Sequence, residues 1–122
     1  MTSGRILVVD DEPDTLGLIE LTLQTAGYNV RTAANGDQAL TLILNDTFDL
    51  ILLDIMMPGM TGFDLVQTLQ DRGADIPPIV YLTAKSRDED REMGETLGAA
   101  AFLTKPTTRG DLIDTIASIL DK

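Results

Sequence analysis

The sequence contains neither cysteine nor histidine among its 122 residues. Without cysteine the chain has no disulfide, no thiolate nucleophile and no zinc–thiolate site, which suits a reducing compartment. Without histidine it has no Ser-His-Asp or Cys-His catalytic group, no imidazole metal site and no phosphohistidine of its own. Carboxylate, hydroxyl and lysine side chains are therefore the groups left for covalent chemistry.

Positive charge is also scarce: the sequence has 9 lysines and arginines but 20 aspartates and glutamates, which gives a formal net charge of -11. Such a chain lacks the basic face that nucleic acids and anionic membranes attract, whereas a cationic partner or a divalent metal is easier to accommodate. No apolar run approaches the roughly 20 residues of a membrane span, and the first residues carry no signal-peptide apolar region. We expect one domain over residues 1–122, in the cytoplasm, that binds no nucleic acid directly and no membrane.

The stretch from Asp49 to Gly62 is the one around which the rest of the chain is organised. Its four consecutive aliphatic residues, 50–53, are typical of a strand buried on both faces at the centre of a parallel sheet. The strand ends at Asp54 and is followed by a loop that contains proline and glycine. Open α/β sheets place their active sites at the carboxyl ends of such strands. Taken alone, Asp54 is better explained as a turn or capping residue.

Strand and helix patterns alternate along the whole chain. Strands are predicted at 5–11, 28–33, 50–53, 76–83 and 99–106. Helices are predicted from apolar residues at helical spacing: Leu16, Leu18, Ile19 and Leu23; Ala39, Leu40, Ile43 and Leu44; Phe63, Val66 and Leu69; Met93 and Leu97; Leu112, Ile113, Ile116 and Leu120. The fourth helix, 86–98, is highly charged, so we expect it to be the least firmly packed.

This alternation predicts a doubly wound α/β fold. Right-handed crossovers place helices on both faces of a five-stranded parallel sheet, which makes a three-layer α/β/α sandwich. At this chain length the flavodoxin-like strand order 2-1-3-4-5 is favoured, with a ligand crevice between strands one and three.

In that topology Asp10 and Asp11, which follow strand one, converge with Asp54 at the end of strand three. Three crowded carboxylates repel one another and resist ionisation unless a cation neutralises them. Oxygen ligands without histidine or cysteine favour Mg2+, with Mn2+ able to take its place. Strand four brings Thr83 to the same edge and strand five brings Lys105. A hydroxyl and an ammonium beside a metal suit a site that takes phosphate onto an aspartate, with Asp54 as nucleophile.

These motifs resemble the receiver domain of two-component response regulators, of the chemotaxis-regulator kind, over essentially the whole chain. The matching residues are Asp10-Asp11, Asp54, Met57-Pro58-Gly59, Thr83-Ala84 and Lys105-Pro106. The resemblance implies that Asp54 accepts a phosphoryl group from a phosphohistidine on a sensor histidine kinase or phosphotransfer protein. A downstream effector or an output domain would then read the change. Such a protein is a phosphoacceptor that assists its own phosphorylation and dephosphorylation, not an enzyme acting on others.

The resemblance also assigns roles within the site. Asp10 and Asp11 would hold Mg2+, with Asp11, Asp54 and the backbone carbonyl of Met56 as direct ligands. Thr83 and Lys105 would bind the phosphoryl oxygens, and the Lys105-Pro106 bond would be cis.

Further residues are implied as a switch and as lifetime determinants. Thr83 would move toward the phosphate and vacate space for the ring of Phe102, changing the surface around the fourth helix and fifth strand; core packing is the simpler role for Phe102. Met56 and Lys85 flank the site and would tune the lifetime of the acyl phosphate. We expect slow self-hydrolysis, because neither side chain activates water.

Three other functions are weighed against this one. A phosphatase of the haloacid-dehalogenase type needs a second aspartate two residues after the nucleophile, where Met56 stands. A flavodoxin-like electron carrier needs a hydroxyl- and glycine-rich phosphate loop after strand one. This sequence has Asp10-Asp11-Glu12 at that place, and these carboxylates would repel phosphate in the absence of a metal. An interaction module of the same fold that works without phosphorylation stays open. The sequence does not decide whether the protein forms a homodimer on phosphorylation. It also does not decide whether the chain is a stand-alone regulator or the receiver domain of a longer protein.

Overall fold

A five-stranded parallel sheet forms the centre of the computed structural model, which describes residues 4–83 and 98–121. The strand order is β2-β1-β3-β4-β5, and every neighbouring pair is parallel. This confirms the predicted sheet and its order. The strands are β1 (Arg5–Val9), β2 (Asn29–Ala33), β3 (Leu50–Asp54), β4 (Ile79–Thr83) and β5 (Ala101–Thr104).

The described residues contain four helices, three between strands and one after β5, and their ends follow local sequence signals. The side chains of Asn35, Thr61 and Thr108 each accept a backbone N–H at the start of a helix, as N-cap residues do. Gly27, with φ of +97°, follows the first helix, as predicted. The predicted helix at 86–98, with Met93 and Leu97, lies outside the described residues apart from its last position. The helices are α1 (Pro13–Thr25), α2 (Gly36–Asn45), α3 (Gly62–Asp71) and α4 (Arg109–Leu120).

The sheet is covered on both faces, which produces the predicted three layers. On one face, alternate strand residues pack against α2 and α3; on the other face, the intervening residues pack against α1 and α4. β3 is buried at all five positions, as its unbroken aliphatic run predicted. Within the described residues no helix combines the length and the apolar character that crossing a bilayer requires.

Two leucines assigned to the apolar stripes are exposed instead. Leu18 is 66% exposed and Leu44 is 45% exposed. Each stands next to a buried isoleucine, Ile19 or Ile43, and successive residues on a helix point about 100° apart. When the isoleucine faces the sheet, its leucine neighbour is turned toward solvent. The prediction was therefore wrong for these two positions.

Candidate functional site

The carboxyl ends of four strands bring polar residues to one edge of the sheet, which we call the carboxyl edge. Pairing places Val9 beside Leu53, and Thr83 beside Thr104. The strands therefore end at similar levels. The polar residues at this edge are Asp10 and Asp11 after β1, Asp54 at the end of β3, Thr83 at the end of β4 and Lys105 after β5.

Three carboxylates form the centre of the site. Asp10 is fully buried, Asp54 is 4% exposed, and Asp11 is half-buried. One carboxylate oxygen from each lies within 4.8 Å of the others. The backbone N–H of Glu12 donates to Asp10 Oδ1 over 2.9 Å, which fixes the Asp10 carboxylate at the turn into α1. The trio predicted from the sequence is thus brought together.

Lys105 reaches this cluster from β5. Its Nζ lies 2.7 Å from Asp10 Oδ2 and 3.4 Å from Asp54 Oδ1. Both contacts are ion pairs between the ammonium and a carboxylate. The backbone N–H of Lys105 donates to the carbonyl of Thr83 over 2.7 Å, which ties the two phosphate-binding candidates together. The Lys105-Pro106 bond is cis, as the resemblance implied.

Burial and crowding alter the protonation of the site. The pKa of Asp54 is raised to about 6: burial is the largest cause, the nearby Lys105 ammonium opposes the rise, and Asp10 and Asp11 add to it. Burial acts to lower the pKa of Lys105, but its carboxylate partners outweigh that effect and the pKa is raised. Among residues 4–83 and 98–121, the Lys105 ammonium pairs with Asp10 and Asp54, so the three neighbouring carboxylates are only partly neutralised by this part of the chain.

The cluster fits a hard divalent cation. Its donors are all oxygens, they lie close together, and their charge is only partly neutralised. Mg2+ prefers oxygen ligands and keeps several waters, so an incomplete protein shell is normal for it. The donor set on this chain is thus consistent with the predicted metal.

The loop after Asp54 is held at both ends. The Ile55 N–H donates to the Leu82 carbonyl, and the Gly62 N–H donates to the Ile55 carbonyl. A Cβ on Gly62 would stand 2.5 Å from the Asp54 carbonyl oxygen, so only glycine allows α3 to begin this close to the strand end. Within the loop Met56 is 70% exposed. Its side chain therefore lies largely in solvent.

Tyr81 also belongs to this region, although the sequence did not predict it as a site residue. Its ring is fully buried between Phe63 on α3, with centroids 5.0 Å apart, and Phe102 on β5, at 5.6 Å. The hydroxyl has no hydrogen-bond partner among residues 4–83 and 98–121, and burial raises the pKa of the phenol. An unpaired buried hydroxyl costs about 1–3 kcal/mol. The available signal was a tyrosine inside an otherwise aliphatic strand, two residues before Thr83.

The predicted switch residues Thr83 and Phe102 lie in the described part of the chain, whereas Lys85 does not. Thr83 is buried at the end of β4. Phe102 is half-buried, stacks on Tyr81, and belongs to the strand pair that ends with Thr83 and Thr104. Lys85, predicted to tune the lifetime, lies outside the described residues.

Comparison with known proteins gives one consistent family. Residues 6–117 match the model of the response regulator receiver domain. Over 118 residues the chain is 37% identical to the response regulator SaeR of Staphylococcus aureus, an alignment that covers 97% of this chain and 51% of SaeR. The chain thus spans about half the length of the curated relatives it matches.

Solved structures agree with this match. The chemotaxis protein CheY4 of Vibrio cholerae superimposes with a TM-score of 0.90 at 35% identity, covering 98% of this chain and 100% of that one. The response regulator TrrA of Thermotoga maritima, solved in complex with Mg2+–BeF, gives a TM-score of 0.83 at 34% identity, covering 95% and 98% of the two chains.

Proposed function

Because this chain belongs to the response regulator receiver domain family, a component of two-component signalling, we propose that it is a phosphoryl-accepting switch with Asp54 as the acceptor. The observation that carries the proposal is the position of the Asp54 carboxylate. It is buried at the end of β3, within 4.8 Å of oxygens of Asp10 and Asp11 and 3.4 Å from Lys105 Nζ. A carboxylate so placed is a nucleophile surrounded by groups that bind a metal and a phosphoryl group.

Phosphoryl transfer to this site is a substitution at phosphorus. An oxygen of ionised Asp54 attacks, the new O–P bond forms, and the P–N bond to the donor imidazole breaks with its electron pair left on nitrogen. The Lys105 ammonium would pair with the charge on the phosphoryl oxygens, and the Thr83 hydroxyl would donate a hydrogen bond to one of them. Mg2+, held by Asp10, Asp11, Asp54 and the Met56 carbonyl, would supply the charge that balances carboxylates and phosphate, with Mn2+ as a substitute.

We also propose a relay from the site to the surface. Phe102 pairs with Tyr81, which lies two residues before Thr83 on the same face of β4, so a shift of Thr83 toward the phosphoryl group would alter the packing of the Phe102 ring. Receiver domains are generally signalling switches, and their kinases and output domains are their usual partners. For this chain we propose a sensor histidine kinase or phosphotransfer protein upstream, an effector or output domain downstream, and a homodimer formed on phosphorylation. Residues 1–122 would form one receiver domain.

The acyl phosphate is expected to be long-lived. Met56, two residues after Asp54, has an exposed and apolar side chain, which offers no group to orient an attacking water. The measurement is loss of phosphate from the purified phosphorylated protein over time. Loss within seconds would contradict the expectation.

Intact-mass spectrometry after exposure to acetyl phosphate with Mg2+ tests the acceptor. We expect wild type to gain one phosphoryl group, Asp54→Asn to gain none, and the control Asp46→Asn, at the opposite edge of the sheet, to gain one. A wild type that gains nothing would support the interaction module that works without phosphorylation. A gain that persists in Asp54→Asn would place the acceptor elsewhere.

A further inference from the structure

The loop between β3 and α3 rests on the first turn of α2 through the Met60 side chain. Gly36 is the first residue of α2 and is buried. A Cβ on Gly36 would stand 2.7 Å from Met60 Sδ, 2.8 Å from its Cβ and 2.9 Å from its Cγ, closer than side chains pack. Met60 therefore occupies the space that any side chain at position 36 would need. Glycine is less favourable than alanine in a helix, and this close approach is a physical reason for its presence here.

The segment that supports the loop is itself fixed by hydrogen bonds. The Asn35 side chain accepts the Gln38 backbone N–H over 2.8 Å, and the Gln38 side chain accepts the Ala34 N–H over 2.9 Å. These two bonds hold the chain on both sides of the helix start. Just before them, the Ala33 carbonyl accepts the backbone N–H of Asp10 over 3.2 Å. The support is thus connected directly to one of the three clustered aspartates.

The loop itself has few anchors between its ends. Met56, Pro58 and Gly59 are exposed, whereas Met57 is buried and Met60 is partly buried against the core on the α2 and α3 face of the sheet. The backbone that carries the Met56 carbonyl, a proposed metal ligand, is therefore positioned through the side chains of the two partly or fully buried methionines. Of these two contacts, that of Met60 is the one made against a bare helix backbone.

We propose that Met60, seated on Gly36, is a positioning residue for the metal site. The contact holds the loop that carries the Met56 carbonyl in one position before the ion arrives. A ligand already held in place need not be ordered on binding, so the affinity for the ion is higher. Residues behind the direct ligands commonly control metal affinity in this way. The inference rests on the proposed function, and extends it to two residues outside the proposed ligand set.

The test compares wild type with Gly36→Ala, which adds one methyl group where the Met60 side chain lies. Gly17→Ala is the matched control, because Gly17 is also helical and a Cβ there meets nothing within 4 Å. Mg2+ affinity is measured by titration followed through backbone amide NMR shifts, and hydrogen exchange of the loop amides is recorded without metal. We expect Gly36→Ala to bind Mg2+ about tenfold more weakly and its loop amides to exchange faster. The control should match wild type in both measurements.

Met60→Ala removes most of the same contact from the other side, and it decides the question if Gly36→Ala does not fold. It should also weaken Mg2+ binding and speed exchange of the loop amides. Because both substitutions disturb one contact, their effects should not add, and the double variant should bind Mg2+ about as weakly as the weaker single variant.

The possible failures are distinguishable. Wild-type Mg2+ affinity and loop exchange in Met60→Ala would overturn the role of this contact, even if urea unfolding showed a less stable fold, because that result would reduce the contact to ordinary packing. The proposed acceptor Asp54 would be unaffected. Wild type that binds no Mg2+ would overturn both the proposed metal site and this inference.

Discussion

The two edges of the sheet use the same kinds of residue in opposite ways. At the amino edge, defined by Arg5, Asp46, Phe48 and Asp49, the Arg5 guanidinium donates to both oxygens of Asp46, at 2.6 and 2.8 Å. The guanidinium also lies 5.4 Å from the centre of the Phe48 ring, and the Arg5 backbone N–H donates to Asp49. At the carboxyl edge, the part of the chain that the structure describes places the Lys105 ammonium against Asp10 and Asp54, with the Asp11 carboxylate crowded beside them.

The pKa values record this difference. Hydrogen bonding to Arg5 lowers the pKa of Asp46 to about 2, whereas burial raises that of Asp54 to about 6. A paired carboxylate that is about one-third exposed stabilises the fold, whereas a buried and incompletely neutralised one destabilises the metal-free protein and favours binding of a cation. Four predictions test the contrast.

Lys105→Met should have the largest effect, because it leaves Asp10 and Asp54 buried without their cation. We expect the metal-free protein to lose about 3 kcal/mol of unfolding free energy, measured by urea denaturation. Arg72→Met, which removes an exposed positive charge beyond α3, is the control and should change little. A loss no greater than that of the control would show that the pairs at the carboxyl edge are energetically unimportant.

Asp54→Asn should stabilise the metal-free protein at neutral pH, by roughly 2 kcal/mol. The folded-state pKa of about 6 exceeds the ordinary value of 3.8, so wild type loses stability as the pH rises through that interval and the asparagine variant does not. Unfolding curves recorded across this range should therefore converge toward acid pH. Destabilisation at neutral pH would contradict the raised pKa.

Removal of Mg2+ should lower the stability of wild type. At a concentration ten times its Kd, the ion adds about 1.4 kcal/mol to the unfolding free energy. The thermal midpoint with Mg2+ is compared with that in EDTA, for wild type and for Asp54→Asn, which has one anionic ligand fewer. An equal shift in both proteins would argue against Asp54 as a ligand.

Asp46→Asn should have the smallest effect and the opposite sign to Asp54→Asn. The pair with Arg5 is about one-third exposed, so its contribution is modest. Because the pKa is lowered from 3.8 to about 2, the stabilisation is present above that interval and disappears as the pH falls through it. We expect a slightly lower urea midpoint at neutral pH and no difference in strong acid. Stabilisation at neutral pH would remove the contrast between the edges.

Much of the fold was predictable from the sequence. The unbroken run 50–53 marked a strand buried on both faces, and the sheet order followed from alternation and chain length. Some strand ends were predicted too far out, since the strand predicted at 76–83 begins at Ile79 and the one predicted at 99–106 spans Ala101–Thr104. The errors at Leu18 and Leu44 came from helices whose apolar stripe is wider than the face that packs on the sheet. Composition shows that these residues are apolar, but only contact with the sheet selects which of two neighbours is buried.

The sequence by itself determined which groups reach the carboxyl edge, because strand periodicity is local and parallel strands end on one side. Only the tertiary structure decided how those groups interact. Whether an aspartate is paired like Asp46 or left short of charge like Asp54, and whether Tyr81 lies between two rings, depends on distances between residues far apart in the chain. Local patterns carry no information about such distances, and both pKa values and ring packing depend on them.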